Sequence, residues 1–284
     1  VISSIDISVA FLQATEYGPN DPPRYVSYAP VRGGPAYVFR LRGPIYGQRS
    51  APRAFYETLR DWLLGEGYVQ GRNDSCLYTH PVTGHQLVTH CDDFLSRGTR
   101  EATEQFYRRL AARFECKQPE YLEPGGELVF TGLQIGWQLE GGDSWYTISQ
   151  ERELRAFLEE KGLDAEPVRS SPVSDRKVMH DRELVGESEA AWCKSVTGGL
   201  HYFARGTRWD VSHSVSRVSQ DQKAPTAGMV RALREIAGYL NGSLGFSLRG
   251  KRVQGADRVD SWSDSDHHGD KGLTSKSQTG VLIR

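Results

Sequence analysis

The sequence predicts an α/β protein of the α+β kind, in which antiparallel strands pack against amphipathic helices. Short, partly alternating apolar runs separated by Gly- and Pro-rich turns recur through roughly the first 150 residues. Helical periodicity takes over between Glu189 and Asn241. Strand-like runs then return from Leu244 onward.

The elements follow in order. "VISSIDIS" at the start predicts a strand, and "YVSY" and "YVFRL" predict two more. Ser50–Gly65 predicts a helix, because Ala51, Ala54, Phe55, Leu59, Trp62 and Leu63 recur at three- and four-residue steps. Pro52 suits its first turn, and Gly65 and Gly67 suit its end. "CLYT", "QLVTHC" and "DFLSR" predict strands, with Asp92 and Asp93 in the turn between the last two. Thr99–Phe114 is amphipathic through Ala102, Phe106, Leu110 and Phe114. "ELVFTGLQIGWQL" and "SWYTIS" predict a hairpin around "EGGD". Ser149–Lys161 predicts a helix closed by Gly162, and the polar, proline-containing stretch 164–188 predicts a connector. Helices are expected at Glu189–Arg205, Asp210–Gln220 and Thr226–Asn241, and strands in "GFSLRG", "RVDSWSD" and "GVLIR".

Composition bounds the function. The chain has 284 residues, 38% hydrophobic and 25% charged, enough for a core in one large or two modest domains. Its net charge of −1 argues against a uniformly basic nucleic-acid binder. The charge is uneven, however: "FRLRGPIYGQRSAPR", "RGTREATEQFYRRLAAR" and "SLRGKR" are basic, whereas "PEYLEPGGE" and "SWSDSD" are acidic. Such unevenness can leave a positive groove on a neutral protein, although solvated helix faces account for it equally. Cys76, Cys91, Cys116 and Cys193 show no C-x-x-C spacing, so the default is a reduced, intracellular protein without a zinc or disulfide framework. The apolar runs are too short to span a bilayer, so no membrane association is expected. Both ends fall within strand-like sequence, which reads as a piece cut from a longer chain.

The chemistry concentrates in acids. Asp92 and Asp93 are adjacent in "HCDDF", and Asp6 ends the first predicted strand. Adjacent carboxylates repel unless something positive lies between them, and clustering raises their pKa values. Carboxylates from two strands could hold two hard cations about 3.5–4 Å apart for phosphoryl transfer. Mg²⁺ suits such a site, since it accepts few protein carboxylates and takes other oxygens from phosphate and water. The plainer reading is an Asp-Asp pair serving turn chemistry and Asp6 capping a helix.

Eight stretches, in order along nearly the whole chain, carry a resemblance. "DISVAFLQ" resembles D-V-x-x-A-F-L-x-G, "IYGQRSAPRAFYETL" resembles L-Y-G-L-K-Q-A-P-R-A-W-Y, and "HCDDFL" stands where Y-V-D-D-I-L is expected. "GYVQGRNDSCLYT", "FTGLQI", "YTISQERELRAFLEEKGL", "KSVTGGLHYFARGTRWDVSHSVSRVSQ" and "SWSDSDHHGDKGLTSKSQTGVLI" continue the series. The pattern is that of the reverse transcriptase of Ty1/copia-type LTR retrotransposons, running into their ribonuclease H region. The resemblance implies a polymerase palm and the start of the thumb at 1–163, a linker and helical thumb or connection region at 164–243, and a truncated ribonuclease H-like start at 244–284.

It also implies an RNA-directed DNA polymerase using two Mg²⁺ ions, with Mn²⁺ as the alternative. Asp6, Asp92 and Asp93 match the catalytic carboxylates, with Asp6 and Asp92 holding metal and Asp93 supporting. Phe11 matches the ring that crowds the sugar 2′ carbon, though an ordinary core phenylalanine would read the same. Gly47, Pro52 and Arg53 match the segment lining the template and nucleotide pocket. Phe130 and Gly132 match the hairpin that grips the primer end, for which an ordinary packed hairpin is the alternative. Asp264 matches the first ribonuclease H carboxylate, whose companions fall beyond Arg284, so hydrolysis of RNA–DNA hybrids is not expected.

The implied partners are an RNA or DNA template, a DNA primer, a dNTP and the rest of the Pol polyprotein, including integrase and ribonuclease H. The implied location is cytoplasmic, in a virus-like particle, with the nucleus as a second site. Departures also stand out: His90-Cys91 replaces Tyr-Val, Arg49-Ser50 replaces Lys-Gln, "TRWD" replaces T-R-P-D, and "DSDHHG" replaces D-A-D-W-A-G. The basic groups of the fingers are expected upstream of Val1, so this fragment alone is expected to bind metal and primer–template but polymerise little. A retroelement remnant that only binds nucleic acid, or another palm-type nucleotidyl transferase, is the alternative.

Overall fold

The computed structural model describes residues 1–172, 181–251, 261–265 and 279–283. In chain order the elements are β1 (Ile2–Asp6), a 3₁₀ turn (Ala10–Gln13), β2 (Tyr25–Tyr28), β3 (Tyr37–Arg40), α1 (Ala51–Gly65), β4 (Val69–Gln70), β5 (Leu77–Thr79), β6 (Gln86–His90), β7 (Asp93–Arg97) and α2 (Arg100–Arg113). They continue with β8 (Glu120–Tyr121), β9 (Glu127–Phe130), β10 (Leu133–Glu140), β11 (Asp143–Ser149), α3 (Glu151–Glu160), α4 (Glu187–Gly206), α5 (Ser212–Ser219), α6 (Ala227–Asn241), β12 (Leu248–Lys251), β13 (Ser261–Ser265) and β14 (Thr279–Ile283). The chain divides into two units, Val1–Gly250 and Lys251–Arg284. The fold is mixed α/β with antiparallel sheets, as expected. Among the described residues no helix is long and apolar enough to cross a membrane.

In the larger unit, one sheet has the order β4-β5-β6-β7-β1-β8 and a second has the order β12-β11-β10-β9. Alternation along β1 and β7 turns Ile5 and Phe94 toward α1 and α2, where they meet Phe55, Leu59, Phe106 and Leu110. Each such side chain contributes roughly 1.5–3 kcal/mol on burial. Ser3 and Ser96 lie on the same face, yet they are satisfied by each other (2.9 Å) and by the Tyr107 hydroxyl (2.8 and 3.0 Å). The opposite face presents Ile2, Val88 and Leu95 to a smaller core built from Leu122, Leu128, Phe130 and Ile135.

Local chemistry explains the element ends. Pro52 stands in the first turn of α1. The Thr99 hydroxyl accepts from the Ala102 N–H (3.2 Å) at the start of α2, and Thr226 does the same for Met229 (3.2 Å) at α6. Thr131 and Gly132 both have positive φ (50° and 81°) and join β9 to β10 as a two-residue turn of the I′ kind. The run expected as one strand of a single hairpin is therefore two strands, folded back at Thr131–Gly132. The β10–β11 turn falls at Gly141–Gly142, within the "EGGD" segment. The acid pair also differs slightly from expectation: Asp92 occupies the turn, and Asp93 opens β7.

A third core is helical. Leu154 and Leu158 of α3 pack with Val196 and Leu200 of α4, Val215 of α5 and Leu233, Ile236 and Leu240 of α6. Arg208, between α4 and α5, is 1% exposed and sits inside this region. In the smaller unit β13 pairs with β14, placing Asp264 opposite Gly280.

One buried group sets an acid limit on stability. His85 is fully buried, its Nδ1 lies 2.6 Å from the Tyr68 hydroxyl, and its Nε2 has no partner among the described residues. Burial lowers its pKa to about 4. The unfolded chain takes up this proton near the ordinary value of about 6.5, so the contribution is complete above that pH and is lost as pH falls toward 4. Urea unfolding at pH 7 and pH 5 is expected to differ by about 2 kcal/mol from this source. His85→Leu is expected to flatten that part of the dependence.

Candidate active site at the ends of β1 and β7

The antiparallel register of β1 and β7 places Asp6 directly opposite Asp93. Facing residues share one side of a sheet, with Cβ atoms about 4.5–5.5 Å apart. Since Ile5 and Phe94 face the helices, both carboxylates project from the other side, toward the β9–β10 hairpin. The Asp92 carbonyl accepts from the Ile7 N–H (2.9 Å), so pairing continues past the acids and ties down the turn. His90 faces Asp93 across the β6–β7 hairpin, whose two turn residues are Cys91 and Asp92. Cys91 has φ 54°, a left-handed conformation usually given to glycine, while Asp92 does not. One positive φ at the first turn position suits a II′ turn, and a cysteine there stores strain of order 1–3 kcal/mol.

Electrostatics ties the three acids together. Burial, then the Asp6 charge, then the Asp92 charge raise the Asp93 pKa; the Thr131 N–H, which its carboxylate accepts, and His90 act the other way. Lys117 Nζ lies 3.2 Å from Asp6 Oδ1, and the Lys117 N–H donates to the Asp6 carbonyl (2.9 Å). Burial, followed by the charges of Asp6 and Glu115, pushes the Cys116 thiol up to about 11, so it stays protonated at neutral pH.

The tip of the β9–β10 turn is wedged between the acids and the helices. Thr131 donates to Asp93, and a Cβ on Gly132 would lie 2.2 Å from Glu153 Oε1 of α3. Glu153 Oε2 accepts from the Tyr202 hydroxyl of α4 (2.9 Å). Gly132 therefore answers both to its positive φ and to this close approach.

The donor set consists of hard carboxylate oxygens, which suit Mg²⁺ or Mn²⁺. Its mutual repulsion is what a cation would relieve, and Lys117 relieves it in part. Among the described residues no group of three or more His, Cys, Asp or Glu is arranged to hold a metal ion. Because folding raises the Asp93 pKa, its charged form opposes folding at neutral pH, a penalty that fades as pH falls through the raised value. Asp93→Asn keeps the acceptor for Thr131 and removes the charge. It is expected to raise the melting temperature in EDTA, measured by scanning calorimetry; an unchanged temperature would show the carboxylates are too far apart to repel.

No protein-family model matches the chain. It is 29% identical over 280 residues to the retrovirus-related Pol polyprotein from transposon RE1 of Arabidopsis thaliana, and 30% identical over 278 residues to that from transposon RE2 of the same plant. Both alignments cover 95% of this chain. The putative transposon Ty5-1 protein of Saccharomyces cerevisiae is 24% identical over 241 residues, covering 83% of this chain and 75% of that protein. The chain is a relative of the copia-type retrotransposon Pol polyproteins. It spans about a fifth of the RE1 and RE2 polyproteins, 18% of each.

Around the acids of this Pol-related chain the other expected site residues distribute unevenly. Phe11, in the 3₁₀ turn after β1, has its ring 4.8 Å from that of Tyr46 and 6.4 Å from Phe55. Gly47 follows Tyr46 with φ 89°, a conformation that strains any other residue. Phe11 and Gly47 thus come together through Tyr46. Pro52 and Arg53 lie in the first turn of α1. Arg53 is 83% exposed and pairs with Glu57 (2.8 Å). It lines a cleft of about 620 Å³ with Tyr17, Arg24 and Ser50, which none of the three acids lines. Phe130 is buried in the hairpin core. Asp264 lies in the separate smaller unit.

Lys117 and Thr131 carry no signal in the sequence. Their roles arise because β1 meets the Cys116–Lys117 segment and because the β9–β10 turn reaches Asp93.

Proposed function

We propose that this chain carries the palm of an RNA-directed DNA polymerase, a reverse transcriptase, within a Pol polyprotein. The β4–β8 sheet with α1 and α2 forms the palm, α3–α6 the thumb-like and connection region, and the C-terminal strands the start of a ribonuclease H-like domain. One observation carries the reading: two acids remote in sequence face each other across β1 and β7, with a third in the adjoining turn. Asp6 and Asp92 would hold Mg²⁺, or Mn²⁺, and bound there the ions lower the pKa of a primer 3′-hydroxyl and neutralise a triphosphate. Asp93 supports the pair from the position that Thr131 fixes. The 3′-oxygen forms a bond to the α-phosphorus of a dNTP as the α–β phosphoanhydride bond breaks, and pyrophosphate leaves. Phe11, against Tyr46 and beside Gly47, is placed to crowd a sugar. The partners are template, primer, dNTP and the rest of the polyprotein, and the setting is cytoplasmic.

The test joins an upstream fingers segment to the chain and measures Mg²⁺-dependent dNTP incorporation on an RNA template. Primer extension supports the reading. Metal-independent binding without extension supports instead a remnant that only binds nucleic acid, a reading favoured by the Lys117–Asp6 ion pair and by His90-Cys91.

A further inference from the structure

Residues 22–56 contain six arginines and no aspartate or glutamate, in a chain whose net charge is −1. The same segment folds as the two-stranded β2–β3 sheet, whose register pairs Tyr25 with Arg40, Val26 with Phe39, Ser27 with Val38 and Tyr28 with Tyr37. Directly opposed residues share a face, so Val26, Phe39, Tyr28 and Tyr37 form one continuous apolar surface. Val26 is half-buried, but the three rings lie open: Tyr28 is 59% exposed, Tyr37 55% and Phe39 53%. Exposed apolar residues scattered singly need no explanation, but a contiguous face of three aromatic rings does. A lone two-stranded sheet is marginally stable in water and gains nothing by displaying such a face.

The charge says what covers it. Arg40 shares the other face with Tyr25, and Arg32, Arg42 and Arg49 are also exposed. None of these four guanidinium groups has an ion-pair partner among the described residues, whereas Arg53 at the end of the segment and Arg60, Arg100 and Arg109 outside it are paired with acids. A hairpin with flat rings on one face, Arg40 on the other, and further uncompensated arginines in its turn and just beyond its second strand matches a ligand with flat apolar groups and a run of negative charge. Single-stranded nucleic acid has both, since its unpaired bases stack on aromatic rings and its phosphates meet arginine. In a duplex the base faces are stacked on one another and closed to such a platform.

We propose that the β2–β3 hairpin is a metal-independent stacking platform for single-stranded nucleic acid. The site stands on the hairpin alone. It needs neither Asp6, Asp92 nor Asp93, and so adds a second contact to the one proposed around the acids.

Fluorescence anisotropy of the 284-residue chain with a labelled 20-mer oligothymidylate, in EDTA, tests it. Wild type is expected to bind the single strand at least tenfold more tightly than a blunt duplex of the same length. Tyr28→Ser, Tyr37→Ser and Phe39→Ser together should weaken single-strand binding at least tenfold with the circular dichroism spectrum unchanged, since all three side chains are exposed. Arg40→Gln with Arg42→Gln should flatten the dependence of log K on log salt by about 1.4, from about 0.7 per phosphate. Loss of binding in the arginine variant but not in the serine variant would overturn the platform, as would equal affinity for duplex. Conversion of a dimer to a monomer by the serine substitutions, seen in sedimentation, would assign the face to a second copy and overturn it too. Failure of primer extension with these binding results intact would remove the polymerase reading and leave this site standing.

Discussion

Replacing Asp92, or Asp6, by asparagine is expected to lower Mg²⁺-dependent nucleotide incorporation by at least about a thousandfold, several kcal/mol of transition-state stabilisation. The substitution keeps the size and shape of the side chain and removes its charge. The Asp92 carbonyl bond to Ile7 is a backbone interaction, so the turn should persist. What is lost is the ability to offset cation charge where the attacking and leaving oxygens meet. Primer–template affinity is expected to change little, because phosphate contacts by arginine and lysine dominate it. The measurement is single-turnover extension of a labelled primer by the chain joined to its fingers segment, alongside a binding titration. Incorporation that survives in both variants would show that the β1–β7 acids do no chemistry. Equal loss of incorporation and binding would show instead that the substitution damages the fold.

The second large effect is on stability. Arg208→Ala is expected to cost about 2–3 kcal/mol, because a buried side chain is removed and the buried Ser243 acceptors lose their donor. Arg208 donates to both oxygens of Asp210 (3.1 and 2.7 Å) and to the carbonyl and hydroxyl of Ser243 (3.1 and 2.6 Å). Its guanidinium also lies over the rings of Tyr239 and Phe246, 5.7 and 5.5 Å from their centres. One side chain thus ties the end of α4 to the end of α6. Burial alone would raise the Asp210 pKa; bonds from Arg208 and the Tyr239 hydroxyl outweigh it and hold the carboxyl low. Without Arg208 the buried Ser243 carbonyl and hydroxyl lose their donor, while Asp210, 30% exposed, keeps the Tyr239 hydroxyl and reaches water. Arg208→Lys should recover little, because an ammonium cannot make the forked contact. Urea unfolding measures the loss.

Much of the local structure could be read from the chain. β2, β3, β6 and β7 lie where alternation and turn residues put them, and α1, α2 and α6 where periodicity and their first-turn residues put them. The two-residue strands β4 and β8 went unread because two residues carry no period. The reversal at Thr131–Gly132 was hidden for a related reason. "ELVFTGLQIGWQL" alternates on both sides of a turn that lacks the usual Asn-Gly or Asp-Gly, and only the packing of Leu128 and Ile135 under the sheet makes the fold-back favourable. Arg208 looked like any arginine in "TRWD", since nothing nearby in sequence announces Ser243 or Tyr239.

By itself, the sequence determined most of the secondary elements, the uneven charge and the identity of three acids, because helix periods, strand alternation and turn chemistry act over only a few residues. Tertiary structure decided that Asp6 faces Asp93, that Lys117 rather than a neighbour in sequence meets Asp6, that the Thr131 N–H holds Asp93, and that the β2–β3 aromatic face is left bare. These depend on strand register and on which surfaces find a partner. Both are settled by burial summed over the whole sheet and its helices, where a slip of one residue would turn every side chain of a strand to the other face.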